Sequence, residues 1–173
     1  MACMGWVNAV AWSPSGKTLC YCGHDSSFHV VNFDSGTPVI QSIRYNVLPC
    51  ISVLYTSENC ILAAGYDFNP LVFQSSAGTW KYDRMLEVKK EAVATSSNSS
   101  VSAARALFQN KASRGQDAGA KTDTLWTSHT NTITGMQNMS AGDGNVTAIS
   151  SSSLDGSIVV WDLVSNAFGS LNI

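Results

Sequence analysis

The chain has 173 residues, of which 45% are hydrophobic and 13% charged, and this composition is typical of one globular domain with a sizeable core. A formal net charge of −2 excludes the overall basic field that accompanies most nucleic-acid-binding proteins. The apolar opening lacks a basic segment and ends at Ser13 and Pro14, so we expect neither a signal peptide nor membrane insertion.

Residues 5–45 predict a unit of four short strands. Each strand is rich in β-branched and aromatic residues, and each break between strands contains Gly, Pro, Ser or Asp, the residues that tight turns require. The predicted strands run from Val7 to Trp12, Leu19 to Cys22, Phe28 to Phe33 and Val39 to Ser42.

The first turn contains a short stretch, Ser15 to Thr18, that resembles the end of a phosphate-binding loop. The full pattern requires Gly at the position of Ala11 and a helix after the loop, whereas Leu19 to Cys22 predicts a strand. We therefore interpret this stretch as a hairpin turn.

Residues 46–91 repeat the same arrangement. Strands are predicted from Ile51 to Tyr55, Ile61 to Ala64, Leu71 to Gln74 and Trp80 to Arg84. Asp25 and Asp67, at matching turns, are 42 residues apart, and a period of this length is typical of four-stranded propeller blades.

Residues 92–124 predict an inserted loop, because Ser, Ala, Asn, Gly and Lys predominate there without alternation. Ser100 or Ser102 can cap a helix of about three turns that ends near Ser113. A helix of this length is only marginally stable by itself in water. We therefore expect its apolar side either to pack on the protein's own surface or to contact a partner. Between Arg84 and Arg114 there are six basic and two acidic residues, which suits a groove on an acidic partner.

The last repeat, residues 125–173, carries the most complete signature. Predicted strands run from Ile133 to Met139 and from Val146 to Ser150, and SSSLDGSIVVWDL follows from Ser151 to Leu163, with no clear fourth strand after it. A turn at Asp155 followed by an apolar run that closes on Trp161 is a WD-repeat signature. The run from Ile158 to Val160 predicts a strand buried on both faces.

Four polar or aromatic residues of this repeat have the spacing of a buried hydrogen-bond chain: His129, Ser151, Asp155 and Trp161, here called the tetrad. Ser, His and Asp together also suggest a hydrolase triad, but the GxSxG elbow is absent from the sequence. The structural interpretation accounts for all three residues, so we expect no catalysis.

The five cysteines occur mostly in apolar, strand-like contexts, as reduced core residues do. Cys20 and Cys22 would share one strand face near His24, but no second ligand pair occurs at zinc-finger spacing. We expect no metal and no cofactor.

With these motifs in place, the chain from Gly5 onward resembles the WD-repeat subunit 1 family of the actin-related protein 2/3 complex. The resemblance rests on GWVNAVAWSPSG (Gly5 to Gly16), GHDSS (Gly23 to Ser27), SENCILAAGYDFNPLVF (Ser57 to Phe73) and SLDGSIVVWDL (Ser153 to Leu163), together with the position of the Ser-rich insertion. It implies an all-β fold, a β-propeller of WD repeats, of which this chain holds about three four-stranded blades out of seven.

The resemblance also implies a function. Members of this family are non-catalytic scaffolds in actin filament nucleation and branching, so the implied partners are the other subunits, the actin filament and nucleation-promoting factors, with a cytoplasmic, cytoskeletal location and no nucleic acid. The family's insertion is a protruding helix that contacts actin. Here that role would fall on Val101, Ala104, Arg105, Leu107, Phe108 and Lys111.

Three blades out of seven would leave open sheet faces and strand edges. We therefore expect the chain to be a fragment of a longer protein that alone is open, aggregation-prone or held by partners. A generic WD-repeat adaptor that binds peptides outside the actin system is the alternative function.

Overall fold

The computed structural model describes residues 5–34, 36–88, 126–140, 145–164 and 171. The chain divides into two units, one made of Met1–Val88 and Thr127–Ile173 and the other of Lys89–Trp126. Within the described residues, no helix is long and apolar enough to cross a bilayer.

The described part of the first unit is all-β and consists of three antiparallel sheets whose strands follow each other in chain order. Sheet 1 contains β1 (Val7–Trp12), β2 (Thr18–Gly23), β3 (Ser27–Asn32) and β4 (Val39–Arg44). Sheet 2 contains β5 (Cys50–Ser57), β6 (Cys60–Gly65), β7 (Leu71–Ser76) and β8 (Thr79–Met85). Sheet 3 contains β9 (Ile133–Asn138), β10 (Ala148–Ser153) and β11 (Ile158–Asp162).

The core lies between the sheets. One apolar cluster, which includes Phe28 and Phe73 with their rings stacked at 4.1 Å, joins sheet 1 to sheet 2. A second cluster, which includes Leu62 and Trp161, joins sheet 2 to sheet 3. Sheet 2 is therefore buried on both faces, and every residue of β6 is buried.

Turn residues set the hairpins. The stretch from Ser15 to Thr18 lies in the hairpin turn between β1 and β2, as the sequence predicted, and not in a phosphate-binding loop; Gly16 N–H donates a 2.9 Å hydrogen bond to Ser13 C=O, and Thr18 begins β2. Gly65, the last residue of β6, lies against the backbone at the start of β5, and a Cβ there would come within 2.8 Å of Cys50 Cα and still closer to Pro49 O. Only glycine fits this position.

The predicted fold class, a partial WD-repeat propeller, is confirmed by these stacked antiparallel sheets. Two details of the last repeat are wrong. The strand predicted from Val146 to Ser150 lies instead at Ala148–Ser153, because the serines themselves pair with β9 and β11. The run predicted to be buried on both faces alternates, since Ile158 and Val160 are exposed while Trp161 is buried against sheet 2.

The predicted insertion helix, with its cap at Ser100 or Ser102 and its end near Ser113, lies outside the described residues.

Candidate functional site

The tetrad comes together at the face of sheet 3 that packs on sheet 2. Ser151 on β10 and Trp161 on β11 point to the same face, and His129 precedes β9. Trp161 Nε1 and His129 Nε2 both lie 2.7 Å from Ser151 Oγ, and His129 Nδ1 lies 3.2 Å from Asp155 Oδ2. The chain of contacts therefore runs from Asp155 through His129 and Ser151 to Trp161.

Donor chemistry fixes the direction of one of these bonds, because the Trp161 indole N–H can only donate and Ser151 Oγ must accept it. The Ser151 hydroxyl keeps a proton that it can donate to His129 Nε2 when that nitrogen carries none. His129 then carries its proton on Nδ1 and donates to Asp155. Every polar atom of the chain has a partner in this arrangement, as burial requires.

Asp155 ends the chain as a carboxylate. It accepts hydrogen bonds from the Ser157 hydroxyl, from Thr130 N–H at 2.8 Å and from Ser157 N–H at 2.8 Å. These bonds, with His129, hold the pKa of Asp155 well below its usual range. The Asp155 carboxylate therefore stays ionised across the physiological pH range, and the groups that donate hydrogen bonds to it keep their acceptor.

The tetrad is a structural element by its geometry. In a hydrolase triad the histidine takes the proton of a serine that is open to a substrate. Here Ser151 is only 1% exposed, and its oxygen already receives the Trp161 N–H. The arrangement can link three segments of sheet 3, but it presents no nucleophile to solvent.

Sheet 1 has a different polar chain, which the sequence analysis missed. Ser27 Oγ donates to Asp25, His29 Nε2 lies 2.8 Å from Ser27 Oγ, and His29 Nδ1 lies 2.8 Å from Ser42 Oγ. The His29 ring stacks on Tyr21 at 4.6 Å, and burial lowers the pKa of His29. Ser27 and His29, two residues apart on one strand, share a face, and that alternation was the signal available in the sequence.

Sheet 2 has neither of these hydrogen-bond chains. Ala63 and Phe73, each 88 residues before its counterpart in sheet 3, take the positions of Ser151 and Trp161. Both side chains are fully buried. Its turn aspartate, Asp67, accepts one backbone bond from Leu48 N–H at 2.6 Å, and burial raises its pKa. The same position in the repeat thus holds a stabilised carboxylate in sheet 3 and a partly desolvated one in sheet 2.

A clamp joins the two chain segments that flank residues 89–126. The Glu87 carboxylate accepts hydrogen bonds from Ser128 N–H at 2.8 Å and from Ser128 Oγ at 2.5 Å. The side chain of the buried Asn69 makes two hydrogen bonds to the Glu87 backbone. Its Nδ2 donates to Glu87 C=O at 2.9 Å, and its Oδ1 accepts from Glu87 N–H at 3.0 Å. The residues predicted to contact actin, Val101, Ala104, Arg105, Leu107, Phe108 and Lys111, lie outside the described residues.

The buried cysteines are unsuited to chemistry. Burial raises the pKa of Cys20 and of Cys50 to about 12, so both remain thiols at neutral pH. In the part of the chain that the structure describes, no three His, Cys, Asp or Glu side chains are grouped so as to hold a metal ion. His24 instead lies in an aromatic row, with its ring 5.6 Å from Trp6 and 6.3 Å from Tyr66.

Comparison with known proteins supports the resemblance found in the sequence. No model of a protein family matches the chain. The chain is 38% identical over 161 residues to actin-related protein 2/3 complex subunit 1A of Arabidopsis thaliana, a match that covers 91% of this chain and 43% of the relative. Subunit 1 of Schizosaccharomyces pombe is 32% identical over 174 residues, and subunit 1A-B of Xenopus laevis is 32% identical over 162 residues.

These matches cover 92% of this chain and 46% of the fission yeast protein, and 91% of this chain and 41% of the frog protein. The chain thus spans less than half the length of the curated relatives that it matches. The names of these relatives describe a subunit of a complex. Over 91% of its length the chain is therefore similar to subunit 1 of the actin-related protein 2/3 complex, and the extent of the match is consistent with a C-terminal portion of that protein.

Proposed function

We propose that the chain is a non-catalytic scaffold within the actin-related protein 2/3 complex and supports the nucleation and branching of actin filaments. The observation that carries this proposal is the similarity to subunit 1 proteins over 91% of the chain, joined to a stack of WD-type sheets. Its partners are the other subunits of the complex, the actin filament and nucleation-promoting factors. Its location is the cytoplasmic actin cytoskeleton.

The insertion at residues 92–124 contacts actin in this proposal, through a helix that carries Val101, Ala104, Arg105, Leu107, Phe108 and Lys111. The clamp between Glu87 and Ser128 supports the proposal, because it joins the chain segments that precede and follow the insertion in sequence. The blades at residues 5–45, 46–91 and 125–173 are then the scaffold, and the insertion is the element that reaches the filament. The excess of basic residues from Arg84 to Arg114 suits an acidic partner surface.

The test replaces Leu107 and Phe108 by Asp in the native subunit and measures branches per length of filament by fluorescence microscopy. We expect the complex to assemble normally and to form branches at less than about a tenth of the normal frequency, since charge replaces the apolar side of the contact. The matched control replaces Leu48 and Leu154, two exposed leucines on the sheets' loops, by Asp.

Normal branching by the insertion variant would disprove the role assigned to this segment. Failure of the wild-type chain to enter the complex would instead disprove the scaffold function. The two readouts are therefore separable.

A generic peptide adaptor is the second candidate, and the row of Trp6, His24 and Tyr66 favours it, because exposed aromatic side chains are typical anchors for peptides. If the chain is such an adaptor, Trp6→Ala should abolish recovery of peptide partners, and the insertion variant should bind them normally.

A further inference from the structure

The chain segment that precedes the insertion is anchored to sheet 2. Leu86 is fully buried, and its N–H donates a 2.6 Å hydrogen bond to Pro70 C=O in the turn between β6 and β7. The buried side chain of Asn69, in the same turn, bonds both polar groups of the Glu87 backbone. The chain is therefore fixed to sheet 2 as far as Glu87.

The chain segment that follows the insertion is anchored to sheet 3. His129 is fully buried in the tetrad, and Thr130 N–H donates a 2.8 Å hydrogen bond to Asp155 Oδ2. Ser128, the residue before His129, is exposed and contacts the Glu87 carboxylate through both its N–H and its hydroxyl. The clamp thus connects the anchor on sheet 2 to the anchor on sheet 3, between residues that are 41 apart in sequence.

A second pair of residues makes the same bonds elsewhere in the chain. Glu58, in the turn between β5 and β6, accepts hydrogen bonds from Ser15 N–H at 2.6 Å and from Ser15 Oγ at 3.0 Å. Ser15 lies in the turn between β1 and β2, so this pair joins sheet 2 to sheet 1 through two short hairpin turns. The two glutamate–serine pairs have the same chemistry, and only the clamp flanks an insertion.

The clamp is too exposed to be a major source of stability. Its hydrogen bonds lie at the protein surface, where water competes for both partners. The anchors at Leu86, Asn69, His129 and Thr130 hold their segments to the sheets independently of the Glu87 carboxylate. Removal of the clamp should therefore free the two segments from each other and leave the sheets folded.

We propose that Glu87 and Ser128 are positioning residues for the contact with actin, because they hold the two attachments of the insertion at a fixed separation. A segment whose attachments are fixed loses less conformational freedom when it binds than one whose attachments move. This inference rests on the function proposed above, in which the insertion contacts actin. Glu87 and Ser128 act through the insertion and do not themselves contact the filament.

The experiment compares three variants of the native subunit in the assembled complex and counts branches per length of filament by fluorescence microscopy. Glu87→Ala removes both acceptors of the clamp. Glu87→Gln is the conservative variant, since its amide oxygen accepts from Ser128 N–H and its amide N–H donates to Ser128 Oγ. Glu58→Ala is the matched control, because it removes the same two bonds from the other pair. Hydrogen–deuterium exchange of the peptide that contains Ser128 reports on the clamp itself.

We expect all three variants to enter the complex. Glu87→Ala should exchange faster at Ser128 and form branches at a frequency about three- to tenfold lower than the wild type. Glu87→Gln and Glu58→Ala should branch at close to the wild-type frequency.

Normal branching or unchanged exchange in Glu87→Ala would overturn the positioning role. An equal loss in Glu58→Ala would overturn it too, since it would indicate a general effect on the fold, and so would a loss in Glu87→Gln, which would indicate a need for the charge itself. Failure of Glu87→Ala to enter the complex would show that the clamp serves the fold. If the Leu107 and Phe108 variant branches normally, the proposed function of the insertion fails; if that variant is defective and Glu87→Ala is normal, only the positioning role fails.

Discussion

Sheets 2 and 3 solve one packing problem in two ways. Sheet 3 buries Trp161 and satisfies its N–H through Ser151, His129 and Asp155. Sheet 2 buries Phe73 next to Ala63 at the equivalent positions and needs no polar partner there. The tetrad is therefore one way of filling the space between the sheets, and its polar residues have a structural role.

The largest effects should come from removing the two aromatic side chains. Trp161→Ala and Phe73→Ala should each lower the free energy of unfolding by about 3–5 kcal/mol, because both side chains are fully buried and would leave a cavity. Urea denaturation followed by circular dichroism measures both. Trp161→Phe, which makes sheet 3 resemble sheet 2, should cost only about 1–2 kcal/mol. An equal loss in Trp161→Phe and Trp161→Ala would contradict the comparison.

Exchanging the small residues should have intermediate effects. Ser151→Ala leaves the Trp161 N–H and His129 Nε2 without their partner, and Ala63→Ser buries a hydroxyl next to Phe73. Each change should cost about 1–3 kcal/mol, since a buried polar group without a partner loses its hydration. The denaturation midpoints of the two variants measure this, and a stabilising effect of Ala63→Ser would show that the sheets differ in more than these positions.

The two turn aspartates should respond oppositely to pH, with the smallest effects. The pKa of Asp155 is lowered on folding, so its stabilisation is complete above the ordinary carboxyl pKa of about 3.9 and is lost as the pH falls below that value. The pKa of Asp67 is raised on folding, so its carboxylate opposes folding once the pH rises above that raised value. Asp155→Asn should therefore lower the urea midpoint at pH 7, and by progressively less as the pH falls below the ordinary carboxyl pKa towards the lowered pKa of the folded state. Asp67→Asn should leave the midpoint unchanged or raise it at pH 7. The reverse order at pH 7 would show that the bonds to Thr130 and Ser157 do not stabilise the turn.

Much of the fold was predictable from the sequence because turns and strands alternate locally. Gly, Pro, Ser and Asp mark the breaks, and the predicted strand from Val7 to Trp12 agrees with β1 at both ends. The displacement of β10 has a physical reason: four consecutive serines give no alternation of apolar and polar residues, and only pairing with β9 and β11 sets their register.

Exposure and long-range contacts were less predictable. An apolar run such as Ile158 to Val160 has the same composition whether one face of the strand or both faces are covered. The exposure of Val160 could therefore be known only from the three-dimensional arrangement of the sheets. The clamp joins Glu87 to Ser128 across 41 residues, a separation at which no local pattern connects the two. The chain of Asp25, Ser27, His29 and Ser42 depends in the same way on the pairing of β3 with β4.

A double-mutant cycle between Ser151 and Trp161 tests most directly the claim that the tetrad is a structural hydrogen-bond chain that apolar residues can replace. The free energies of unfolding of Ser151→Ala, Trp161→Phe and the double variant are measured by urea denaturation. The double variant lacks both partners of the 2.7 Å bond and copies the Ala63 and Phe73 pair of sheet 2, so it should be more stable than the sum of the single losses predicts, by about 0.5–3 kcal/mol. Additive losses, or a double variant less stable than that sum, would contradict this claim.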